Sequence, residues 1–280
     1  MSKVGIINPG AMGISIAASL RTAGYDVLWS SAGRSAASRQ RAAEQGLLDV
    51  ASIAELCAAC ELILCVCPPH AAESVAQSVI EAGFQGLYCD GNAIAPQKAL
   101  AIGQRMGAAG IDFVDGSIIG PPAWKPGTTR FYLSGASAAH VADLFAATVT
   151  EAIVIGDAVG RASALKMVFA SGTKGFTALQ SAIQAVAERL GVREDLYREW
   201  ERRDADSATR AQDNMRGVTE KAWRFTGEMK EIADTFAGAG LPNGFFLAAH
   251  DIYQGMSHFK DADELPTLDE VLAALLDARH

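Results

Sequence analysis

The chain contains 280 residues, of which 50% are hydrophobic and 20% are charged, and its formal net charge is −8. This length suits one large or two medium domains with an extensive core, and the composition excludes a disordered chain, a collagen-like fibre and a disulfide-stapled miniprotein. The acidic balance argues against a surface that binds nucleic acid or an anionic membrane, while it allows a small basic pocket for one phosphate.

Strand-like and helix-like segments alternate through the first half of the chain. Short apolar runs separated by helices of about ten residues are typical of a doubly wound parallel sheet. Residues 1–157 are therefore predicted to form one α/β domain. The predicted strands are residues 4–7, 26–29, 62–66, 87–89, 111–114, 129–133 and 152–155.

The second half of the chain, residues 158–280, is predicted to be all-helical. The segment from Arg161 to Leu190 contains no proline, and its apolar residues follow helical spacing. At 1.5 Å per residue, this spacing predicts a long interdomain helix of roughly 45 Å. The residues that follow are too few to cover a helix that is apolar around much of its girth. We therefore expect this domain to bind substrate and to form a homodimer, with the site between the domains.

The five cysteines lie in the first third of the chain. Cys57 and Cys60 match the C-x-x-C pattern of redox and zinc sites, but a zinc site needs a second pair and the chain has none. We therefore interpret the cysteines as reduced core residues and predict no metal site. No signal-peptide pattern follows Met1 and no uncharged apolar run reaches about 18 residues, so we expect a soluble, cytoplasmic protein.

The first predicted strand runs into Asn8-Pro9-Gly10-Ala11-Met12-Gly13, which a helical pattern follows. The pyrophosphate of a dinucleotide binds at such a helix amino terminus, where unpaired N–H groups and the helix dipole favour negative charge. Gly10 lets the backbone approach the phosphates, and Gly13 lets helix and strand pack closely. Asn8 stands where the first glycine usually is, and asparagine tolerates left-handed dihedrals. All six residues are predicted to bind the cofactor.

The end of the second predicted strand selects between the two nicotinamide cofactors. An NAD site places an acidic residue there for the ribose hydroxyls, but no carboxylate occurs between Asp26 and Glu44. Hydroxyls and a guanidinium suit a 2′-phosphate instead, because arginine binds phosphate bidentately. NADP is therefore predicted rather than NAD. The predicted contacts are Ser30, Ser31, Arg34 and Ser35.

Four further motifs follow in order, at residues 67–69, 90–96, 115–121 and 159–166. With the glycine turn, their order resembles the β-hydroxyacid dehydrogenase family, relatives of 6-phosphogluconate and 3-hydroxyisobutyrate dehydrogenases, over most of the chain. The resemblance implies an amino-terminal Rossmann domain. Cys67-Pro68-Pro69 resembles the family's proline step after the fourth strand, and Asn92 stands at the hydroxyl position of its D-x-S-T-x-x-P motif. The resemblance thus implies that Cys67, Pro68 and Asn92 contact the cofactor.

Residues 115–121 resemble the family's substrate loop, usually D-A-P-V-S-G-G, and residues 159–166 resemble the segment that carries its catalytic lysine. The resemblance implies that Lys166 is the acid/base and that Ser117 and Gly120 bind substrate. A later segment, residues 223–233, resembles a subgroup with a divergent carboxy-terminal domain. In this segment Lys230 is a candidate for binding an anionic substrate group. Three positions depart from the family pattern: Ile119, Pro121 and Ala170.

The expected function is an NADP-dependent dehydrogenase or reductase that acts on a small 3-hydroxy acid or the matching carbonyl. Lys166 takes or gives the hydroxyl proton if burial and neighbouring cations favour its neutral form. An imine reductase is one alternative, since it shares the two-domain plan and the NADP preference, but such enzymes typically carry another residue at the position of Lys166. A non-catalytic NADP-binding regulatory or scaffold protein is the other, suggested by the departures at Asn8, Ile119 and Ala170.

Overall fold

The structure, a computed structural model, describes residues 3–277. The chain folds into two compact units, one up to Met167 and the other from Val168 onward. The domain boundary predicted from the sequence is residue 157. The first unit contains a single eight-stranded sheet. Its strands are β1 (Lys3–Ile7), β2 (Asp26–Ser30), β3 (Leu48–Val50), β4 (Leu62–Cys65), β5 (Leu87–Asp90), β6 (Asp112–Ile119), β7 (Arg130–Ser134) and β8 (Glu151–Val154).

The strand order across the sheet is β3-β2-β1-β4-β5-β6-β7-β8. All neighbouring strands are parallel except β6 and β7, which are antiparallel. The predicted doubly wound Rossmann domain is confirmed, and the pair of β6 and β7 is the one step at which its sheet is not parallel. Residues 120–129 join β6 to β7 without a helix, and a parallel pair needs a longer crossover.

Helices cover both faces of the sheet, so both faces of its central strands are buried. Along β4, the side chains of Leu62 and Leu64 enter one apolar cluster, while Ile63 and Cys65 enter the other. This alternation is the one expected of a strand with two buried faces. The helices of this unit are α1 (Ala11–Thr22), α2 (Ala36–Glu44), α3 (Ile53–Ala59), α4 (Ala72–Glu81), α5 (Pro96–Ala108), α6 (Ala138–Asp143) and the first part of α7 (Arg161–Ala170).

Strand β6 continues to Ile119, beyond the predicted end at Val114. The Asp115-Gly116 pair reads as a turn in the sequence, but both residues are buried within the strand. Gly116 is needed there because a Cβ atom would lie 2.6 Å from the ring of Phe131 on the paired strand. The Asp115-Gly116 pair therefore continues the strand instead of ending it, and the ring of Phe131 packs closely over Gly116.

The second unit is helical, as predicted, but the long helix is not uniform. After α7, residues Ser171–Gly175 form a π-helical turn, and α8 (Phe176–Arg189) follows. The Tyr253 hydroxyl donates to the Lys174 carbonyl at 2.7 Å, and such an inserted partner stabilises the wider turn. The remaining helices are α9 (Arg193–Glu201), α10 (Ser207–Gly217), α11 (Thr219–Gly238), α12 (Gly244–Met256) and α13 (Leu268–Asp277). None of the helices between residues 3 and 277 has both the length and the apolar character that crossing a membrane requires.

Candidate functional site

The turn between β1 and α1 has the conformation that a dinucleotide-binding turn requires. Asn8 adopts a left-handed φ of 66°, as its tolerance of this region predicts. A Cβ atom on Gly13 would lie 2.7 Å from the Asn8 carbonyl oxygen, so only glycine fits. At Gly10, the N-cap of α1, a Cβ atom would meet nothing closer than 4.0 Å. The space beside Gly10 and the open first turn of α1 are therefore suited to a phosphate.

The residues after β2 reach back to this turn. The Arg34 guanidinium donates from Nη1 to Oδ1 of Asn8 at 3.1 Å. The Asn8 amide in turn donates from Nδ2 to the Val66 carbonyl at 3.2 Å. Asn8 and Arg34 line one cleft of about 440 Å³ together with Ser30. The Ser30 hydroxyl is buried and has no hydrogen-bond partner in the described part of the chain, which is the state expected of a group that bonds a ligand.

The other predicted residues of this segment are engaged by the protein itself. Ser35 is the N-cap of α2 and accepts from the Ser38 N–H at 3.3 Å. The backbone N–H of Ser31 donates to Oδ1 of Asp49 at 2.9 Å. Asp49 lies on β3, a short edge strand without alternating burial, so the sequence pattern did not reveal this contact with the segment after β2.

The carboxyl ends of β4 and β5 are joined through one side chain. Asn92, which is 2% exposed, accepts from the Cys67 N–H at 2.5 Å through Oδ1. Its own backbone N–H donates to Asp90 at 2.9 Å. Asn92 thereby fixes the loop that contains Cys67 and Pro68 beside the end of β5. This bracing role was not visible in the motif, which predicted only a contact with the cofactor.

Two carboxyl groups lie side by side at this edge of the sheet. Asp90 and Asp115 are register partners on β5 and β6, and both are buried. Burial raises the pKa of Asp90 to about 7, the Asn92 N–H opposes this rise, and the nearby Asp115 adds to it. Burial also raises the pKa of Asp115, although four hydrogen bonds to its carboxylate act in the opposite direction.

Three of these four hydrogen bonds attach the start of α7 to the sheet, and the fourth comes from β7. The Asp115 carboxylate accepts from the backbone N–H groups of Gly160 and Ser163 at 3.0 and 3.1 Å, from the Ser163 hydroxyl at 2.5 Å, and from the Ser134 hydroxyl at 3.0 Å. The amino-terminal N–H groups of a helix need such acceptors. Asp115 thus fixes the helix turn that precedes Lys166.

Lys166 returns to the same strand. Its ammonium nitrogen Nζ donates to the Ile118 carbonyl at 2.8 Å, and the side chain is partly buried. Ser117, the neighbouring residue of β6, is buried, and its hydroxyl has no partner among residues 3–277. The structure therefore brings Lys166 to the strand end where the motif predicted substrate binding.

Gly120 has a backbone role in the structure. Its φ is 124°, and a Cβ atom would lie 2.2 Å from the Thr128 carbonyl oxygen. Only glycine allows β6 to leave the sheet in this direction. Ile119, which replaces a serine of the family motif, is buried, whereas Pro121 is exposed.

In the second unit, Lys174 is engaged by its neighbours. Its ammonium pairs with the Glu228 carboxylate and lies 4.4 Å from the centre of the Phe225 ring. Lys230, the predicted substrate-binding residue on α11, is exposed to solvent. The structure does not bring Lys230 into this cluster.

The cysteines form no disulfide, and the residues between 3 and 277 contain no group of three or more metal-binding side chains. Cys65 and Cys67 are neighbours, with their sulfur atoms 3.7 Å apart. Cys57 and Cys60 are buried, and burial raises the pKa of each thiol to about 11. Such thiols are poor nucleophiles and poor metal ligands at neutral pH.

Comparison with known families agrees with this geometry. Residues 3–156 match the family described as the NAD binding domain of 6-phosphogluconate dehydrogenase. The chain belongs to this family. The resemblance deduced from the motifs is thereby confirmed. The protein is an NAD(P)-dependent dehydrogenase or reductase. Residues 187–256 match a domain of unknown function (DUF1932). This range includes the whole of residues 223–233, the segment that suggested a divergent subgroup.

Several solved structures share the fold over nearly the whole chain. The conserved protein MTH1747, of unknown function and structurally similar to 3-hydroxyacid dehydrogenases, is 27% identical, with a TM-score of 0.67 and coverage of 91% of this chain and 97% of that one. The Mycobacterium tuberculosis 3-hydroxyisobutyrate dehydrogenase is 18% identical, with a TM-score of 0.72 and coverage of 98% and 99%. A reductive aminase from Aspergillus terreus is 17% identical, with a TM-score of 0.57 and coverage of 97% and 98%. No curated protein matches the sequence.

Proposed function

We propose that the protein is an NADP-dependent oxidoreductase that transfers hydride between the nicotinamide and a small, anionic 3-hydroxy acid or the matching carbonyl. The observation that carries the proposal is the position of Lys166, whose ammonium is held against the Ile118 carbonyl at 2.8 Å on β6, the strand that also carries Ser117. An amine held at a strand end of a dinucleotide-binding sheet is placed to take or give the proton of a substrate hydroxyl.

The preference for NADP rests on the cleft after β2. Arg34 supplies a guanidinium and Ser30 a buried hydroxyl without a partner in the described chain, and both suit a phosphate. Asp49 on β3 accepts from the Ser31 N–H, and the carboxylate in the lining of the cleft is that of Glu81. The Aspergillus terreus reductive aminase, which shares the fold, was solved in complex with NADPH and ethyl levulinate, and this agrees with the preference.

When bound, the nicotinamide supplies or accepts the hydride, and a group of the protein must donate or accept the proton of the substrate hydroxyl. Lys166 would hold that proton at Nζ, while the Ile118 carbonyl orients the amine. Ser117 and Gly120 would contact the substrate near β6. Ile119 and Pro121 replace a hydroxyl and a glycine in that segment, so the substrate would be held differently from that of the better-known enzymes.

The first test is a fluorescence titration with NADPH and NADH. We expect NADPH to bind at least about tenfold more tightly, which corresponds to about 1.4 kcal/mol. Arg34→Ala should remove most of this difference. Equal binding of the two cofactors by the wild type would overturn the NADP preference.

The second test concerns the lysine. With an identified substrate, Lys166→Met should lower kcat by about a hundredfold or more, because proton transfer by a positioned group contributes that much. Lys221→Met, at an exposed position of α11, is the matched control and should retain activity. Turnover of Lys166→Met within a few-fold of wild type would exclude Lys166 as the acid/base.

A second candidate function is imine reduction. It is favoured by the likeness in fold to imine reductases and reductive aminases, with TM-scores of 0.56 to 0.58, and by the loss of polar substrate-holding groups at Ile119 and Ala170. A panel of cyclic imines and 3-hydroxy acids separates the two functions. Turnover of imines alone would favour this candidate over the first.

The proposed assembly is a homodimer formed through α8. Five apolar residues recur along this helix and its C-cap with alternating steps of three and four, and each is at least 37% exposed. This spacing places them along one face, as in the seam of two packed helices. A second copy of the chain would cover them. The residues are Phe176, Leu179, Ile183, Val186 and Leu190.

A further inference from the structure

We propose that Asn8 determines cofactor specificity, because its side chain positions the Arg34 guanidinium for the 2′-phosphate of NADP. This inference rests on the proposed preference for NADP and adds a positioning residue to it. From the pattern of the glycine turn, Asn8 is expected to take the place of a glycine and to contact the cofactor. The contacts of its side chain go beyond that role.

The orientation of the Asn8 amide is fixed by two different partners. Nδ2 donates to the Val66 carbonyl at 3.2 Å, and Oδ1 accepts from Nη1 of Arg34 at 3.1 Å. The reverse orientation would set an amide oxygen against a carbonyl and an amine against a guanidinium. The oxygen therefore faces Arg34, and the amide links the loops after β1, β2 and β4.

This link restricts a side chain that is otherwise mobile. An arginine side chain has many rotamers, and fixing one of them before a ligand arrives lowers the entropy lost on binding. Of the five N–H donors of a guanidinium, the Asn8 contact uses one. The remaining donors stay available for a phosphate, in the same cleft that contains Ser30.

The chemistry of the amide suits this task better than its obvious replacements. Glycine would adopt the φ of 66° with less strain but would leave Arg34 unsupported. Aspartate would hold Arg34 more strongly, but its negative charge would compete with the phosphate for the guanidinium. Asparagine is a neutral acceptor, so it holds the Arg34 guanidinium without neutralising it. The positive charge of Arg34 remains for the ligand.

The test is a comparison of the dissociation constants of NADPH and NADH for Asn8→Gly and the wild type. Glycine keeps the left-handed turn, so the variant should fold, with a small fall in Tm from the loss of the Asn8 side-chain hydrogen bonds. We expect its NADPH affinity to fall by about tenfold, while its NADH affinity remains unchanged. Arg39→Ala, which removes an exposed arginine of α2, is the matched control and should leave both constants unchanged.

A double variant separates positioning from a direct contact. If Asn8 acts through Arg34, Asn8→Gly should have no further effect on NADPH binding once Arg34→Ala is present. Equal losses in both backgrounds, or a wild-type NADPH:NADH ratio in Asn8→Gly, would overturn the inference. If the wild type itself shows no preference for NADPH, the proposed function fails instead, so the two failures are distinguishable.

Discussion

Gly10 and Gly13 lie in the same turn but differ in what a side chain would meet there. At Gly13 a Cβ atom would lie 2.7 Å from a backbone oxygen, whereas at Gly10 its nearest neighbour would be 4.0 Å away. Gly13→Ala should therefore destabilise the fold by about 1–3 kcal/mol through overpacking. Gly10→Ala should leave Tm unchanged and weaken NADPH binding about tenfold, because its methyl group would occupy the space proposed for the pyrophosphate.

Thermal unfolding and an NADPH titration of both variants check this contrast. The two glycines serve as controls for each other, since the added methyl group is the same. Wild-type NADPH affinity in Gly10→Ala would show that the pyrophosphate does not approach the turn, and would exclude the Rossmann-type binding mode proposed here.

Asp90 predicts a pH dependence of stability. Its pKa is about 7 in the fold and near 3.8 in the unfolded chain, mainly because burial disfavours the charged form. Between these values the folded state retains a proton that the unfolded chain releases. The contribution of Asp90 to stability is therefore fully present below about pH 4 and is lost as the pH rises toward 7, by about 1.4 kcal/mol per pH unit at most.

Asp90→Asn removes this titration and keeps an oxygen that can accept from the Asn92 N–H. The difference in Tm between Asp90→Asn and the wild type should therefore shift in favour of the variant as the pH rises from 4.5 to 7.5. Asp112→Asn, at an exposed position of β6, is the control and should show no such trend. A Tm difference that is constant with pH would mean that Asp90 is ionised throughout.

At the scale of single elements, α7 is held to the sheet by Asp115 and carries Lys166 one turn later. Loss of the Ser163 hydroxyl removes one hydrogen bond from the buried Asp115 carboxylate. This should lower the free energy of unfolding by about 1–3 kcal/mol. Ser163→Ala should therefore lower Tm and reduce kcat through displacement of Lys166, while NADPH affinity remains unchanged. Ser137→Ala at the start of α6, where the hydroxyl makes no capping hydrogen bond, is the matched control. Full kcat in a destabilised Ser163→Ala would show that the anchor supports only the fold.

The same elements show which parts of the fold a sequence can predict. Strands with continuous apolar runs, such as β4, are predicted closely because both of their faces are buried. Strand β6 is cut short in the prediction because Asp115-Gly116 resembles a turn, and no pattern reveals that Phe131 packs over this glycine. The short β3 is missed because none of its residues is buried. The π-helical turn depends on Tyr253, which is 79 residues from Lys174.

At the scale of the whole chain, the sequence predicts which residues lie at the candidate site. It does not predict the hydrogen bonds between them. Parallel strands bring their carboxyl ends to one edge, so the glycine turn, Asn92 and Asp115 can be assigned to that edge from the strand pattern alone. The ties between them join residues far apart in sequence, for example Asp115 and Ser163 over 48 residues. Such contacts depend on side-chain packing, which has no periodic signal.

The apolar face of α8 carries the last prediction, which concerns assembly. The wild type should sediment as a dimer at micromolar concentration, because a second copy would bury the residues that are exposed on this helix. Val186 is 57% exposed within this face, and Val192 is 44% exposed beyond the end of the helix. A glutamate buried without a partner at an interface costs about 3–5 kcal/mol, and a two-fold axis applies that cost twice. Val186→Glu should therefore be monomeric, whereas Val192→Glu should remain a dimer. A monomeric wild type, or a dimeric Val186→Glu, would exclude α8 as the interface.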